Sequence, residues 1–210
     1  TAGRDTAVRI YDEGTKQLAT CMRGGSGSSI VATPGHSNRV FSLRYHPDDA
    51  NIVVSGGWDN TVQIWDIRVE RAVRSFFGPH ICGDAVDVCG NTILTGSYRG
   101  ADQLELWDFG TGEKIHTVAW SRGLFSGQSC MLYAAQFSKE GHGRFIGAGG
   151  SGTNEAKLFD RAAGDVNVGT ITGLTRAVFT LDFAPDSSKL AVGCGDASIR
   201  LLDILDSDRK

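Results

Sequence analysis

The sequence predicts an all-β protein assembled from repeats of a four-stranded antiparallel sheet, and three observations carry that prediction. A short strand ending in a bulky residue and Asp recurs five times along the chain. A second strand that runs into glycine or Gly-Ser precedes each of the last four copies. Glycine is about twice as frequent as in an average protein, with 28 residues against 4 prolines, which suits many tight turns between short strands.

The recurring strand reads AVRIYD at Ala7–Asp12, TVQIWD at Thr61–Asp66, QLELWD at Gln103–Asp108, EAKLFD at Glu155–Asp160 and SIRLLD at Ser198–Asp203. Its third residue is long and polar (Arg9, Gln63, Glu105, Lys157, Arg200), and the residues on either side are apolar, which is the period-2 signature of a β-strand. The preceding strands are IVVSGG (Ile52–Gly57), TILTGS (Thr92–Ser97), FIGAGG (Phe145–Gly150) and LAVGCG (Leu190–Gly195). A hairpin joins the two, and in three repeats Asp5, Asp59 or Asp196 stands in it, six residues before the bulky residue. Further upstream lies an inner strand followed by Pro-Asp turn chemistry, as in VFSLRYHPDD and VFTLDFAPDS. A fourth, outer strand follows each complete unit, as in AVRSFFG (Ala72–Gly78) and KIHTVAW (Lys114–Trp120).

The five Asp residues are separated by 54, 42, 52 and 43 residues, the two longer intervals being accounted for by Gly/Ser-rich insertions at Gly24–Pro34 and around Ser121–Ser129. Four strands every ~40–45 residues, with Gly-His before and Trp-Asp after, resembles the WD-repeat family, and Gly35-His36…Trp65-Asp66 is the best copy. The resemblance covers nearly the whole chain and implies a β-propeller of four-stranded antiparallel blades. The chain is expected to hold about four to five blades of a seven-bladed ring: 1–23 the end of one blade, 36–78, 80–120 and 130–172 full blades, and 173–206 a blade lacking its outer strand. Sheet edges left open in this way template association, so the isolated chain is expected to self-associate or to need a preceding N-terminal segment.

Composition narrows the function. A net charge of −3 with no Lys/Arg run argues against nucleic acid or an anionic membrane as a partner. No apolar stretch reaches the ~18–20 residues of a membrane helix. Cys21, Cys82, Cys89, Cys130 and Cys194 form no C-x-x-C pair, so neither a zinc site nor a disulfide framework is indicated; free thiols in a reducing, cytoplasmic setting are expected, and no cofactor is.

His36, Ser55 and Asp59 invite a hydrolase reading, but Ser55 lacks the G-x-S-x-G elbow. The family resemblance implies instead that His36, Ser55, Asp59 and Trp65 form a buried structural hydrogen-bond network. His80, Thr95 and Trp107 look like a second copy, although Asp102 falls five rather than six residues before its Trp; the last two repeats lack the set and are expected to rely on apolar packing. Neither Gly149–Gly152 nor Gly24–Ser29 carries the Lys or following helix of a phosphate loop, and His46, His116 and His142 are expected at the surface. Trp65-Asp66-Ile67-Arg68 spells W-D-x-R, which in the family recurs in substrate receptors of cullin-RING ubiquitin ligases.

The resemblance further implies that a protein or peptide partner is bound over one end of the central channel. Carried onto this sequence, the positions are Arg4, Arg39, Phe41, Trp58, Asp84, Tyr133 and Phe179, an Arg- and aromatic-rich set with the composition of a binding hot spot. Phe41 and Phe179 can equally fill gaps between blades, whereas Trp58 in a tight hairpin has little core to fill. Lys157, on another repeat, is a position outside this rim. The expected function is a non-catalytic scaffold rather than an enzyme.

Overall fold

A computed structural model describes residues 1–24, 34–120, 128–140 and 142–205. Most of the two Gly/Ser-rich insertions and the last five residues lie outside them. Among the described residues the only helix is a single 3-10 turn at Arg161–Ala163; all other regular structure is strand.

The strands form five antiparallel sheets in chain order. Strands β1 (Val8–Tyr11) and β2 (Leu18–Met22) form a two-stranded sheet. Strands β3 (Val40–Tyr45), β4 (Ile52–Gly57), β5 (Thr61–Asp66) and β6 (Arg71–Phe77) form the first four-stranded one. It is followed by β7 (Val86–Cys89), β8 (Thr92–Gly96), β9 (Leu104–Asp108) and β10 (Lys114–Thr117). The next sheet is β11 (Met131–Phe137), β12 (Phe145–Ser151), β13 (Ala156–Asp160) and β14 (Val166–Ile171). The last comprises β15 (Val178–Phe183), β16 (Lys189–Cys194) and β17 (Ile199–Asp203). Each sheet is a plain meander, and the inner strands β3, β7, β11 and β15 pack side by side. The sheets therefore fan out from a shared axis as the blades of a partial propeller.

Stacking blade on blade buries both faces of a sheet, and that overrides the one-sided exposure that alternation normally signals. Gln63, Glu105 and Lys157, the polar third residues of the recurring motif, on β5, β9 and β13, are each no more than 3% exposed. Lys157 is thus a core position and not a neutral surface one. Its ammonium lies 3.4 Å from Glu155 and 4.7 Å from the centre of the Trp120 ring, whose N–H donates to Glu155 at 2.7 Å. The fourth sheet, which was expected to rely more on apolar packing, thus also holds a buried polar cluster. Glu105 is likewise held between Arg99 at 2.5 Å and Lys114 at 3.2 Å. A buried charge is tolerated only when paired in this way.

A second set of polar contacts runs around the axis through the inner strands. Arg44 of β3 pairs with Asp84 at 3.1 Å and approaches Asp87 of β7 at 3.4 Å. Gln136 of β11 donates to Asp84 at 3.4 Å, and Lys139 bridges Gln136 at 3.4 Å and Asp182 of β15 at 3.1 Å. Asp87 also accepts the Phe137 N–H at 2.8 Å. Four successive blades are stitched by one ladder of alternating charge.

The apolar core is divided among the interfaces. Val54, Ile64, Ile81, Val86, Ile93 and Trp107 fill the gap between the second and third sheets. Leu94, Leu106, Leu132, Phe137, Ile146 and Phe159 fill the next. The last sheet has no further sheet on its outer side among the described residues. Ile199 and Leu201 of β17 are consequently 80% and 65% exposed, whereas their counterparts Val62 and Ile64 are 0% and 1% exposed.

Candidate functional site

Two sites drawn from the sequence can be built residue by residue, one inside a blade and one on its rim. Inside the second sheet, the hairpin between β4 and β5 brings Asp59 to the His36 loop. The Trp65 indole N–H donates to Ser55 Oγ at 2.7 Å, Ser55 Oγ lies 2.7 Å from His36 Nε2, and His36 Nδ1 lies 2.8 Å from Asp59 Oδ2. An indole can only donate and a carboxylate can only accept, so the protons point one way along the whole chain. Asp59 also accepts the Ser37 N–H at 2.8 Å, the Thr61 N–H at 3.1 Å and the Thr61 hydroxyl at 2.9 Å. Burial pushes the Asp59 carboxyl up, but the His36, Ser37 and Thr61 donors outweigh it and bring its pKa down to about 2. Trp65 and Ser55 are 0% exposed and His36 5%. No substrate can reach Ser55, and the arrangement does structural work.

The third sheet keeps only part of this network. Trp107 donates to Thr95 Oγ1 at 2.9 Å, but His80 turns to Asn60 Oδ1 at 2.6 Å in the preceding blade. The reason lies in the hairpin. Asn60, five residues before Trp65, has a left-handed φ of 59°, and Asp102, five before Trp107, has φ 49°. Asp102 therefore occupies the turn position of Asn60, and Ala101 stands where an Asp is needed. Thr6, Asn154 and Ala197 take the same left-handed position in the other hairpins.

The rim is shaped by a different backbone device. Pairing of the inner strand with the second strand slips by one residue between Val40 and Ser42, between Leu132 and Ala134, and between Val178 and Thr180. The residues skipped are Phe41, Tyr133 and Phe179. A bulge leaves one residue out of the ladder and re-aims its side chain. At two of the three bulges the opposing residue is a glycine that permits a close backbone approach, and at the third it is Cys194. A Cβ on Gly57 would lie 2.5 Å from the Arg39 carbonyl, and one on Gly150 would lie 1.9 Å from that of Met131. The glycine-terminated second strand thus serves the bulge as well as the turn.

Side chains released by the bulges meet in a continuous band. The rings of Phe41 and Trp58 are 5.0 Å apart, with the Arg39 guanidinium 5.7 Å and 5.3 Å from their centres. The Trp58 indole donates to Cys82 Sγ at 3.1 Å. Beyond Cys82, the Gly83 backbone abuts that of Tyr133, whose ring contacts Tyr98 at 4.9 Å and Phe179 at 5.1 Å. Trp58 is 40% and Phe179 52% exposed. The Arg4 hairpin lies beside the start of β3, where the Gly3 carbonyl accepts the Val40 N–H at 3.1 Å.

Asp84 differs from the rest of the set, because its carboxylate is already engaged by Arg44, Ser42 and Gln136. Cys82 and Tyr98 were missed. Cys82 could be read only as a small thiol, and Tyr98 lies in a hairpin whose length obscures its phase. Elsewhere, Arg68 of the W-D-x-R sequence directs its guanidinium back onto Asp66, with bonds of 2.9 and 2.7 Å. His116 pairs with Asp165 of the next blade at 2.5 Å, and His46 packs on Phe109 with ring centres 4.7 Å apart. Among the described residues no group of three His, Cys, Asp or Glu is placed to hold a metal ion, and no helix is long and apolar enough to cross a membrane.

Comparison with known proteins agrees with the strand pattern. The family described as WD domain, G-beta repeat, matches residues 27–66 and 166–203. The WD repeat-containing protein srw1 of Schizosaccharomyces pombe is 26% identical over 178 residues, covering 83% of this chain and 30% of that protein. The guanine nucleotide-binding protein subunit beta of Oryza sativa subsp. japonica is 27% identical over 209 residues, covering 96% of this chain and 52% of the subunit. The ribosome biogenesis protein ytm1 of Neurospora crassa is 31% identical over 122 residues, 57% of this chain and 22% of its own length. The chain spans about half the length, or less, of these relatives. Repeats, sheets and relatives coincide, and residues 27–66 and 166–203 match the WD-repeat family.

Proposed function

We propose that this chain is a non-catalytic interaction scaffold that presents the rim carrying Arg4, Arg39, Phe41, Trp58, Tyr133 and Phe179 to a protein or peptide partner. The observation that carries the proposal is the coincidence of the three bulges with the three aromatic residues. A bulge disrupts the ladder locally, and three blades repeat it with a ring at the bulged position; Phe41 also packs against the core between the second and third sheets, so Tyr133 and Phe179 weigh more. In this reading, residues 36–78, 80–120 and 130–172 are whole blades, while 1–23 and 173–206 contribute two and three strands. The polar groups that resemble catalytic residues, His36, Ser55 and Asp59, are buried and engaged in bonding within one blade, which supports a scaffold over an enzyme. Relatives named for a guanine nucleotide-binding subunit and for ribosome biogenesis point to assembly with other macromolecules.

The test is binding by rim variants of the folded chain. A captured protein partner should lose affinity for Trp58→Ala and Phe179→Ala while each variant keeps the parent's melting transition. Undiminished binding by both variants would move the interaction away from this rim.

A further inference from the structure

We propose that the segment recognised by this rim is acidic: a stretch of protein chain in which Asp or Glu side chains alternate with apolar ones. The inference rests on the scaffold reading above and adds the chemistry of the partner. Its basis is an imbalance in how the rim charges are satisfied.

Most carboxylates of the rim already accept hydrogen bonds, and Asp5 and Asp84 are paired with guanidiniums. Asp5 is bound by Arg9 and by Arg23, the latter at 3.2 Å, and Asp59 is held by His36 and Thr61. Asp84 is paired with Arg44, and Asp196 accepts from the Ser198 hydroxyl at 2.5 Å and from Thr175 at 3.5 Å. The rim guanidiniums are not matched. Among the described residues Arg4, Arg39 and Arg176 have no carboxylate partner.

Their placement gives them a use. The Arg39 guanidinium lies 5.7 Å and 5.3 Å from the centres of the Phe41 and Trp58 rings and has no carboxylate partner among the described residues, so its N–H groups can take a carboxylate beside the rings. Arg176 stands at the other end of the band: a Cβ on Gly195 would meet both Arg176 Cβ at 3.2 Å and the Phe179 ring at 2.8 Å. A shallow recess lined by Asn154, Thr175, Arg176 and Phe179 adjoins it. Arg4 follows Gly3, whose carbonyl accepts the N–H of Val40 next to Arg39. Cations at both ends of an aromatic band match a ligand with carboxylates outside and apolar side chains between. An overall charge of −3 does not oppose this, because interface complementarity is set by the local patch.

The experiment is selection from a displayed library of short random peptides, run in parallel on the parent chain, on the double variant Arg39→Gln/Arg176→Gln and on Trp58→Ala. All three must first show the parent's far-ultraviolet spectrum and melting transition. The parent is expected to enrich Asp and Glu flanked by Leu, Ile or Phe, and the double variant to lose that enrichment. A soluble peptide from the parent pool should bind the double variant about threefold to tenfold more weakly, with the difference shrinking at high salt. A neutral or basic pool that Trp58→Ala fails to bind would overturn the acidic specificity and leave the rim in place. A pool that binds Trp58→Ala undiminished would overturn both. Recovery of no peptide above the starting library would overturn the acidic specificity.

Discussion

Replacing Asp59 probes the buried relay most directly, because this one carboxylate ends the chain of donors that begins at Trp65. In Asp59→Ala the Nδ1–H of His36, the N–H groups of Ser37 and Thr61 and the Thr61 hydroxyl lose their shared acceptor. A buried donor left unpaired costs about 1–3 kcal/mol, and His36 and the Asp59 side chain are 0% and 4% exposed at their contact, so little water can substitute. The charge gives an independent figure. Lowering the pKa from 3.8 to about 2 corresponds to roughly 2 kcal/mol at about 1.4 kcal/mol per unit. A lowered carboxylate pKa stabilises the fold above its ordinary value, and that stabilisation is lost as the pH falls from 3.8 through about 2.

Two measurements follow. Urea denaturation at neutral pH, read by tryptophan fluorescence, should place Asp59→Ala below the parent by about 1–3 kcal/mol. The difference should narrow between about pH 4 and pH 2, because the parent itself is then losing the charge. Asp59→Asn keeps the shape of the side chain without its charge and should show the narrowing with a smaller deficit at neutral pH. An Asp59→Ala midpoint equal to the parent's at neutral pH would refute the relay as a stabilising element.

The rim, the axis and the open face each yield a further expectation. Trp58→Ala should weaken an identified partner by about thirty-fold, the cost of a typical aromatic hot spot, whereas Glu113→Ala on an exposed turn should leave affinity unchanged; calorimetric titration decides. Arg44→Ala should destabilise by about 1–3 kcal/mol at neutral pH. Burial raises the Asp87 carboxyl and Arg44 opposes it, so without Arg44 the carboxyl takes up a proton more readily as the pH falls. The Arg44→Ala deficit should then shrink toward acid pH, and a constant deficit in pH-dependent denaturation would remove Asp87 from the ladder. The 210-residue chain should associate through the exposed face of β17, and Leu201→Glu should shift its sedimentation toward monomer. Alkylation of the native protein should label exposed Cys21 first and Cys130 last, since Cys130 is buried and burial pushes its thiol up to about 11; mass spectrometry of timed samples gives the order.

Strand order and sheet membership were legible because each repeat carries its own period-2 strand and turn chemistry, and these are local. The bulges were legible only in part. The residue types at Phe41, Tyr133 and Phe179 placed them on the rim, but nothing in a run such as Leu132-Tyr133-Ala134 announces a slipped register. The signal was on the opposing strand, in Gly57 and Gly150, where glycine was read as turn chemistry alone. Burial of Gln63, Glu105 and Lys157 was hidden for a different reason. Alternation reports that a strand has two unlike faces, not that both are covered, and a blade has a neighbour on each side. The break in the network at Asp102 was legible, because Asp102 stands five residues before Trp107, the same offset as Asn60 before Trp65, and both take the left-handed turn position.

Division of labour between the two ends of each blade explains how such a fold can vary its rim without losing stability. The outer hairpins are tied down from inside, by Asp59 to His36 in one blade and by Trp107 to Thr95 in the next. Around the axis, Arg44, Asp84, Asp87, Gln136, Lys139 and Asp182 link successive blades. Neither system uses Trp58, Tyr133, Phe179, Arg4, Arg39 or Arg176. Coupling energies fall toward zero when two sites share no partners. Changes at Trp58 and Asp59 are neighbours in sequence yet belong to different systems, one on the surface and one inside. The double variant Trp58→Ala/Asp59→Asn should therefore show a stability deficit equal to that of Asp59→Asn and a binding deficit equal to that of Trp58→Ala, each within ~0.5 kcal/mol. A larger coupling would mean that the relay positions the rim, and that stability and recognition in this protein are the same property.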